Sequence, residues 1–246
     1  MKINPGYIIW SITWRGSRFS APLKSVEDIM GSKDYTMDYD FLGKLTNALH
    51  KRNIPLFLYY HPGAEEPKFW EKVWHGHEKS QHFQECNILI WTEIGKRLGT
   101  KLAGWFVDDG IVQFYPADFY AYEKALTAGN PKRLTTFNPW IFPNCSPFDD
   151  ISMGEGHAPG SIEKGTFING PTKGLLAHTM TIMDGPDWGI WNKNQVINPP
   201  HGDLKHWQNK VKLAKAQQHP ISLCILMYED GSLGEKTENI LMKLKR

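Results

Sequence analysis

The chain has 246 residues, a length at which α/β barrels commonly form a single domain. Its 28 basic and 26 acidic side chains give a net charge of +2, which argues against nucleic acid or a charged membrane surface as partner. Hydrophobic residues make up 41% of the chain, no apolar run is long enough to span a bilayer, and no signal-peptide pattern follows Met1. We therefore expect a soluble globular protein. Its three cysteines form neither a disulfide framework nor a metal-ligand spacing.

Apolar segments alternate with segments of helical spacing along the whole chain. Seven apolar segments are predicted as strands, at residues 7–13, 55–60, 102–107, 134–137, 150–153, 175–183 and 221–227. Helices are predicted around residues 41–49, 83–94, 119–126, 204–214 and 240–244, the first of them capped by Asp38 or Asp40. The polar stretch through Gly16, Pro22 and Gly31 is expected to be a loop.

This alternation predicts βαβ units and a parallel sheet. The strands are apolar throughout, as expected when both faces of a sheet are covered. The predicted fold is α/β, a (β/α)8 TIM-like barrel that occupies residues 1–246 as one domain. Since the sequence offers seven strands, we expect the first barrel strand to be missing from this chain. A dinucleotide-binding sheet is disfavoured, because no glycine-rich turn follows the first strand.

Polar and aromatic residues follow most of the predicted strands, at the ends that form the active face of such a barrel. Each has a structural alternative. Asp109 could cap the following turn, Glu155 could be a solvated loop residue between two glycines, and His61 before Pro62 could be structural. Trp188 could belong to a lid or to the core. The convergence of several strand ends is what favours an active site.

A glycosidase needs two carboxyl groups, one on each side of the scissile bond. Asp108 and Glu155 are the natural pair, because they follow different strands of one barrel face. Asp109 is a further catalytic candidate. The candidate substrate-binding residues are Trp14, Tyr60, His61, Trp105, Asn138, His157, Trp188 and Glu229. This interpretation predicts a carbohydrate substrate and no metal ion or other cofactor, and it leaves open whether the chain forms a homo-oligomer.

Several motifs, in the same order along the chain, resemble α-L-fucosidases of glycoside hydrolase family 29 and the broader set of fucosidase-like bacterial barrel proteins. Residues 7–13 resemble the family's second barrel strand, and residues 40–60 resemble its next helix and strand. Residues 104–108 resemble the family's "G-W-W-F-D-G" motif, and residues 128–131 and 137–139 resemble its "A-G-N-P…F-N-P" pattern. Further along the chain, residues 154–155 resemble "G-E" and residues 188–189 resemble "W-G".

The resemblance implies a retaining glycosidase whose nucleophile lies on strand four of the barrel. Aligning Gly104 and Trp105 makes Asp108 the nucleophile, whereas aligning the Asp-Gly pair makes it Asp109. We favour Asp108, because strand alternation places it on the same face as Phe106 and because two anchors outweigh one. Glu155 is then the acid/base. The chain departs from the family at residues 13–16, which lack the His-His pair that fucosidases carry there.

Two other functions fit the same residues. One is a metal-dependent barrel hydrolase or isomerase, whose ligands would come from His61, Asp108, Asp109, Glu155, His157 and His178. The other is a catalytically inactive barrel that binds carbohydrate, which agrees with the absence of the His-His pair. Hydrolysis without a metal ion would support the glycosidase, metal bound to the purified protein would support the metal-dependent enzyme, and sugar binding without turnover would support the inactive barrel.

Overall fold

A computed structural model describes residues 3, 5–14, 18–62, 68, 72, 80–108, 117–138, 148–155, 160–170, 172–185, 188–190, 192–197 and 199–244. For Ser80 and residues 153–155 it describes the backbone alone. The chain divides into two compact units, Pro5–Asp150 and a second unit of Met1–Asn4 with Ile151–Arg246. None of the helices in the described ranges is long and apolar enough to cross a membrane.

The unit Pro5–Asp150 is built on one parallel sheet. Its elements are β1 (Ile8–Ser11), α1 (Lys24–Met30), α2 (Phe41–His50), β2 (Leu56–Tyr60), α3 (Ser80–Leu98), a 3₁₀ turn (Gly99–Lys101), β3 (Leu102–Asp108), α4 (Phe119–Leu126) and β4 (Leu134–Asn138). The four strands pair in sequence order, each parallel to the next. The first four predicted strands and the first three predicted helices are confirmed.

Helix α1 lies in the stretch that the sequence predicted to be a loop, and that prediction was wrong. Its N-cap residue, Leu23, makes no capping hydrogen bond through its side chain. Instead, the carboxylate of Glu93 in α3 accepts hydrogen bonds from the backbone N–H groups of Lys24 (2.9 Å) and Ser25 (2.7 Å). A carboxylate there satisfies unpaired N–H groups and lies at the positive end of the helix dipole. Helix α2, in contrast, has the expected local cap, because Asp40 accepts from the N–H of Gly43 at 2.8 Å.

The main core lies between this sheet and helices α3 and α4. Tyr60 is fully buried on the helix side of β2, and its ring centroid lies 5.7 Å from that of Trp91 in α3. On β3, Trp105 is also fully buried, and its Nε1 donates to the carbonyl of Leu126 at the end of α4 at 3.0 Å. Aromatic rings therefore join β2 and β3 to the helices.

Arg133, just before β4, joins the ends of three elements. Its side chain is buried, at 2% exposure, and its nitrogens donate to carbonyls at the ends of α3 and α4 and at the start of β3. Nε donates to Leu102 (3.2 Å), Nη1 to Leu126 (2.5 Å) and Ala128 (2.8 Å), and Nη2 to Gly95 (3.0 Å) and Gly99 (2.8 Å). The last carbonyls of a helix have no partner within it, and they carry its negative dipole end. Burial lowers the pKa of Arg133 to about 10, so the guanidinium stays charged near neutral pH.

The outer edge of β4 within this unit is covered by two carboxylates. Asp149 accepts from the N–H of Phe137 at 2.6 Å, and Asp150 accepts from the N–H of Thr135 at 2.9 Å. The N–H of Asp150 in turn donates to the carbonyl of Thr135 at 3.0 Å. Because unpaired backbone groups on an edge strand invite further pairing, these side chains block the N–H groups of β4.

The second unit contains β5 (Ile151–Glu155), β6 (Ile162–Glu163), β7 (Thr166–Phe167), β8 (Leu176–Ile182), α5 (Leu204–Ala216), β9 (Ile221–Cys224) and α6 (Glu235–Lys243). Strand β8 pairs in parallel with both β5 and β9, so the last three predicted strands and last two predicted helices are confirmed. The antiparallel hairpin β6–β7 was not predicted. Its turn residues Lys164 and Gly165 both have positive φ, as short hairpins require.

The architecture is thus mixed α/β, with one parallel four-stranded sheet and a second, five-stranded sheet of mixed parallel and antiparallel pairs. The sequence predicted a (β/α)8 TIM-like barrel that lacks its first strand in this chain. Within the described ranges neither sheet closes on itself.

His178 is a buried histidine on β8, at 3% exposure, and its Nε2 lies 2.8 Å from Oγ of Ser222 on β9. Burial, helped by the nearby His219, lowers the pKa of His178 from 6.5 to about 3. The folded protein therefore holds this imidazole neutral, because the charged form would lose its hydration when buried.

We expect Arg133→Lys to lower the free energy of unfolding by about 2–4 kcal/mol, because an ammonium has only three donors and leaves buried carbonyls unpaired. Urea unfolding followed by circular dichroism measures the change. Arg52→Lys is the matched control, because Arg52 is exposed and its Nη1 donates to the carbonyl of Ala48. Equal losses in the two variants would contradict the role of Arg133.

We expect His178 to make the protein less stable in acid. Its folded pKa lies below the unfolded value, so between pH 6.5 and about 3 the unfolded chain binds a proton that the folded chain does not. The contribution of His178 to the free energy of unfolding is therefore fully present above pH 6.5. It is lost progressively at lower pH, by about 2 kcal/mol at pH 5. Unfolding free energies measured at several pH values should fall less steeply in His178→Gln, whereas the exposed control His50→Gln should keep the parent slope.

Candidate functional site

Asp108 is the last residue of β3, where the parallel sheet of the first unit presents the carboxyl ends of its strands. It pairs in register with Asn138, the last residue of β4. The Asp108 side chain is only 5% exposed although it ends a strand. Asp108 and Asn138 therefore lie side by side at this edge of the sheet.

The two oxygens of the Asp108 carboxylate each accept a hydrogen bond. Oδ1 accepts from Nδ2 of Asn138 at 2.7 Å, and Oδ2 accepts from the hydroxyl of Tyr59 at 2.5 Å. The Tyr59 distance is in the range of hydrogen bonds from a hydroxyl to an ionised acceptor. An ionised carboxylate only accepts hydrogen bonds, so donors on both sides match its charged form and fix its orientation.

Aromatic rings hold Tyr59 on both sides. Its ring centroid lies 5.1 Å from that of Phe106, which is fully buried on β3, and the two planes are nearly perpendicular at 80°. On another side, Trp14 lies 5.6 Å from Tyr59 and 4.7 Å from His61, edge to face in both cases. Trp14 and His61 are half-buried. This aromatic cluster of Trp14, Tyr59, His61 and Phe106 therefore keeps the Tyr59 hydroxyl directed at Asp108.

The aromatic surface continues down the same face of the sheet. Gly104 lies two residues before Phe106, and a Cβ added to Gly104 would lie 2.4 Å from Cε1 of Phe57. The absence of a side chain at Gly104 leaves room for the Phe57 ring. This explains why a glycine interrupts an otherwise bulky strand.

Two predicted substrate-binding residues lie on the other face of the sheet. Tyr60 and Trp105 are fully buried against the helices, as described above. A ligand at Asp108 would therefore not contact either ring. The tyrosine next to Asp108 is Tyr59 and not Tyr60, and the sequence analysis did not identify it. The signal that could have identified Tyr59 is the pairing of β2 with β3, which sets Tyr59 opposite Phe106.

The remaining predicted residues lie elsewhere in the chain. Asp109 and His157 are outside the described residues, and Glu155 is described only as the last backbone position of β5. Trp188 and Glu229 belong to the second unit. Trp188 is half-buried and its carbonyl accepts from Sγ of Cys224 at 3.7 Å. Glu229 is exposed, and hydrogen bonds from its own N–H and that of Asn194 lower its pKa.

The predicted metal ligands are only partly described. In the ranges where side chains are described, no group of three or more His, Cys, Asp or Glu residues could hold a metal ion. His178 lies in the second unit and contacts Ser222. That Asp109, Glu155 and His157 contribute ligands to a metal ion stays a prediction.

No protein-family profile and no curated protein sequence matches the chain. Solved structures do match it. A bacterial fucosidase bound to an iminocyclitol inhibitor has a TM-score of 0.72 at 14% identity, over 98% of this chain and 56% of that one. An endo-fucoidan hydrolase of glycoside hydrolase family 107 also has a TM-score of 0.72, at 9% identity, over 98% of this chain and 80% of that one.

The α-L-fucosidase AlfC from Lactobacillus casei, in complex with α-L-fucose, has a TM-score of 0.67 at 12% identity, over 96% of this chain and 73% of that one. The chain spans about half the length of some of these proteins, such as 46% of another family 107 endo-fucoidan hydrolase. At such identities the likeness is one of fold. The chain therefore has a fucosidase-like glycoside hydrolase fold.

A double-mutant cycle tests the contact between Tyr59 and Asp108. We expect Tyr59→Phe and Asp108→Asn to be coupled by about 1–3 kcal/mol in unfolding free energy, because each removes one partner of a charge-assisted hydrogen bond. Tyr60→Phe is the matched control, since this neighbouring tyrosine faces the helices. Its cycle with Asp108→Asn should be additive. Coupling of equal size in both cycles would show that the Tyr59 hydroxyl has no special relation to Asp108.

Proposed function

We propose that the chain is a retaining glycoside hydrolase in which Asp108 is the nucleophile and Glu155 the acid/base. The observation that carries the proposal is the Asp108 carboxylate itself. It is buried at the carboxyl end of a parallel sheet and hydrogen-bonded at both oxygens. Catalytic residues of parallel α/β barrels lie at such ends.

A carboxylate nucleophile must be ionised and correctly oriented before it attacks the anomeric carbon. Hydrogen bonds from Tyr59 and Asn138 favour the charged form of the carboxylate and hold it in one orientation. When one Asp108 oxygen forms the glycosyl ester, the other becomes its carbonyl oxygen and can keep its hydrogen bond. The donor to that second oxygen therefore fits both the free carboxylate and the covalent intermediate, whereas the other donor fits the free carboxylate.

The assignment of Glu155 is supported by its position as the last residue of the parallel strand β5 and by the "G-E" motif. In the retaining mechanism this group first protonates the leaving oxygen and then removes a proton from the attacking water. Asp109 remains the alternative nucleophile if the Asp-Gly pair sets the alignment.

We propose an α-L-fucoside or a fucose-containing polysaccharide as substrate. The similar structures, by their names, are fucosidases and endo-fucoidan hydrolases, and each likeness extends over 96–98% of this chain. The same likeness supports a (β/α)8-type barrel domain for residues 1–246. The proposed substrate-binding residues are Trp14, His61, Asn138, His157, Trp188 and Glu229. Tyr60 and Trp105 are left out of this set, because their rings are buried against the helices.

We expect Asp108→Asn to lower kcat/KM on 4-nitrophenyl α-L-fucoside by about 10⁴-fold or more, because an amide cannot form the glycosyl ester. Sugar binding, measured by calorimetry, should survive. Glu155→Gln should reduce turnover of the nitrophenyl glycoside less than that of a fucose disaccharide, since nitrophenolate needs little protonation to leave. Added azide should partly restore Glu155→Gln and give a fucosyl azide of retained configuration.

Asp118→Asn is the matched control, because Asp118 is an exposed helix cap and asparagine caps equally well. Its turnover should equal that of the parent. Full turnover in Asp108→Asn would disprove the nucleophile assignment, and a loss confined to Asp109→Asn would move the nucleophile by one residue. Binding without turnover in the parent would favour the inactive carbohydrate-binding alternative.

A further inference from the structure

Trp14 lies at the same sheet edge as Asp108, and its neighbours hold it in place. It follows β1 by three residues, His61 follows β2 directly, and Asp108 ends β3. These three strands are neighbours and parallel, so their carboxyl ends meet at one edge. Trp14 is separated from Asp108 by a single ring, that of Tyr59.

The backbone before Trp14 is held firmly. Ile12 and Thr13 are buried, the N–H of Ile12 donates to the carbonyl of Tyr59 at 3.2 Å, and the carbonyl of Ile12 accepts from Ser20 at 3.0 Å. With Tyr59 and His61 against its ring, Trp14 has little rotamer freedom left to lose when a ligand binds. Such preorganisation favours binding.

The Tyr59 hydroxyl is already engaged by the Asp108 carboxylate. What Trp14 itself offers a ligand is aromatic surface, from a half-buried indole. Indole is flat, and its face carries a partial negative charge that attracts polarised C–H groups. A sugar matches it only where several ring C–H bonds point the same way without a hydroxyl between them.

We infer that Trp14 is a specificity-determining residue that covers the unbroken C–H face of the sugar attacked by Asp108. Among α-L-6-deoxyhexopyranosides, the proposed substrate class, the galacto configuration presents such a face, because its axial hydroxyl at C4 leaves the C–H bonds of C3, C4 and C5 on one side. Inversion at C4 places the C4 hydroxyl equatorially and breaks this face. The inference rests on the proposed function, and it adds the residue and the interaction that select the sugar.

The test uses the Asp108→Asn protein, which cannot turn the ligand over, and two probes. These are methyl α-L-fucopyranoside and its C4 epimer, methyl 6-deoxy-α-L-glucopyranoside. Saturation-transfer NMR reports which sugar protons contact the protein, and titration reports Kd. We expect the strongest transfer to H3, H4 and H5 of the fucoside and weaker binding of the epimer. Adding Trp14→Ala should weaken fucoside binding about tenfold or more and remove the preference between epimers.

Two further variants separate recognition from folding. Trp14→Phe keeps a flat apolar face and should retain most of the affinity and the preference. Trp10→Phe is the matched control, because Trp10 lies in β1, four residues before Trp14, but packs against Phe41 of α2, with ring centroids 4.9 Å apart. It should leave binding unchanged. Thermal unfolding of each variant shows whether the fold is intact.

The outcomes distinguish this inference from the proposed function. Unchanged fucoside binding in a folded Trp14→Ala protein, or saturation transfer confined to the methoxy group, overturns the role of Trp14. So does equal affinity for the two epimers, or absence of fucoside binding. None of these results alters the turnover comparison between the parent, Asp108→Asn and Glu155→Gln, which decides the proposed function separately.

Discussion

The guanidinium of Arg133 is the contact on which the architecture of the first unit depends. Its donors satisfy the terminal carbonyls of α3 and α4 and the first carbonyl of β3. Because β3 starts at this contact and β4 follows Arg133 directly, the same side chain places the beginnings of two neighbouring strands. Their far ends carry Asp108 and Asn138, which pair in register. A buried charge at one end of the sheet therefore helps to set the hydrogen bond between these two residues at the other.

Between these two ends, the alternation of the strands gives the sheet two different faces. One face, with Tyr60 and Trp105, is buried against α3 and α4 and contributes packing. The other, with Tyr59 and Phe106, leads to Asp108 and contributes orientation of a carboxylate. Neighbouring residues of the same chemical type thus have different tasks. Replacing either tyrosine by phenylalanine removes one oxygen atom, but only at Tyr59 does that oxygen contact the proposed nucleophile.

Seven of the described strands, five of the described helices and the Asp40 cap could be predicted, because they follow from local periodicity and local capping chemistry. Helix α1 could not, because its cap is Glu93, which is distant in sequence. The β6–β7 hairpin has strands of two residues each, too short for any periodicity. At the site, Asp108, Asn138 and His61 were found by their positions after strands. Tyr59 was missed because β2 is apolar on both faces, so its sequence does not show which side each residue takes.

If the proposed function holds, the position of Tyr59 joins sugar recognition to the chemistry of Asp108. Its ring contacts Trp14 on one side and Phe106 on another, while its hydroxyl donates to the carboxylate. A sugar that covers Trp14, as inferred above, would therefore lie next to the ring whose hydroxyl orients the proposed nucleophile. Loss of the indole face would weaken binding, whereas loosening of the Tyr59 ring would lower the rate of attack. Under the proposed function, binding and turnover would both depend on this one cluster of rings, so each variant in it has to be measured for both.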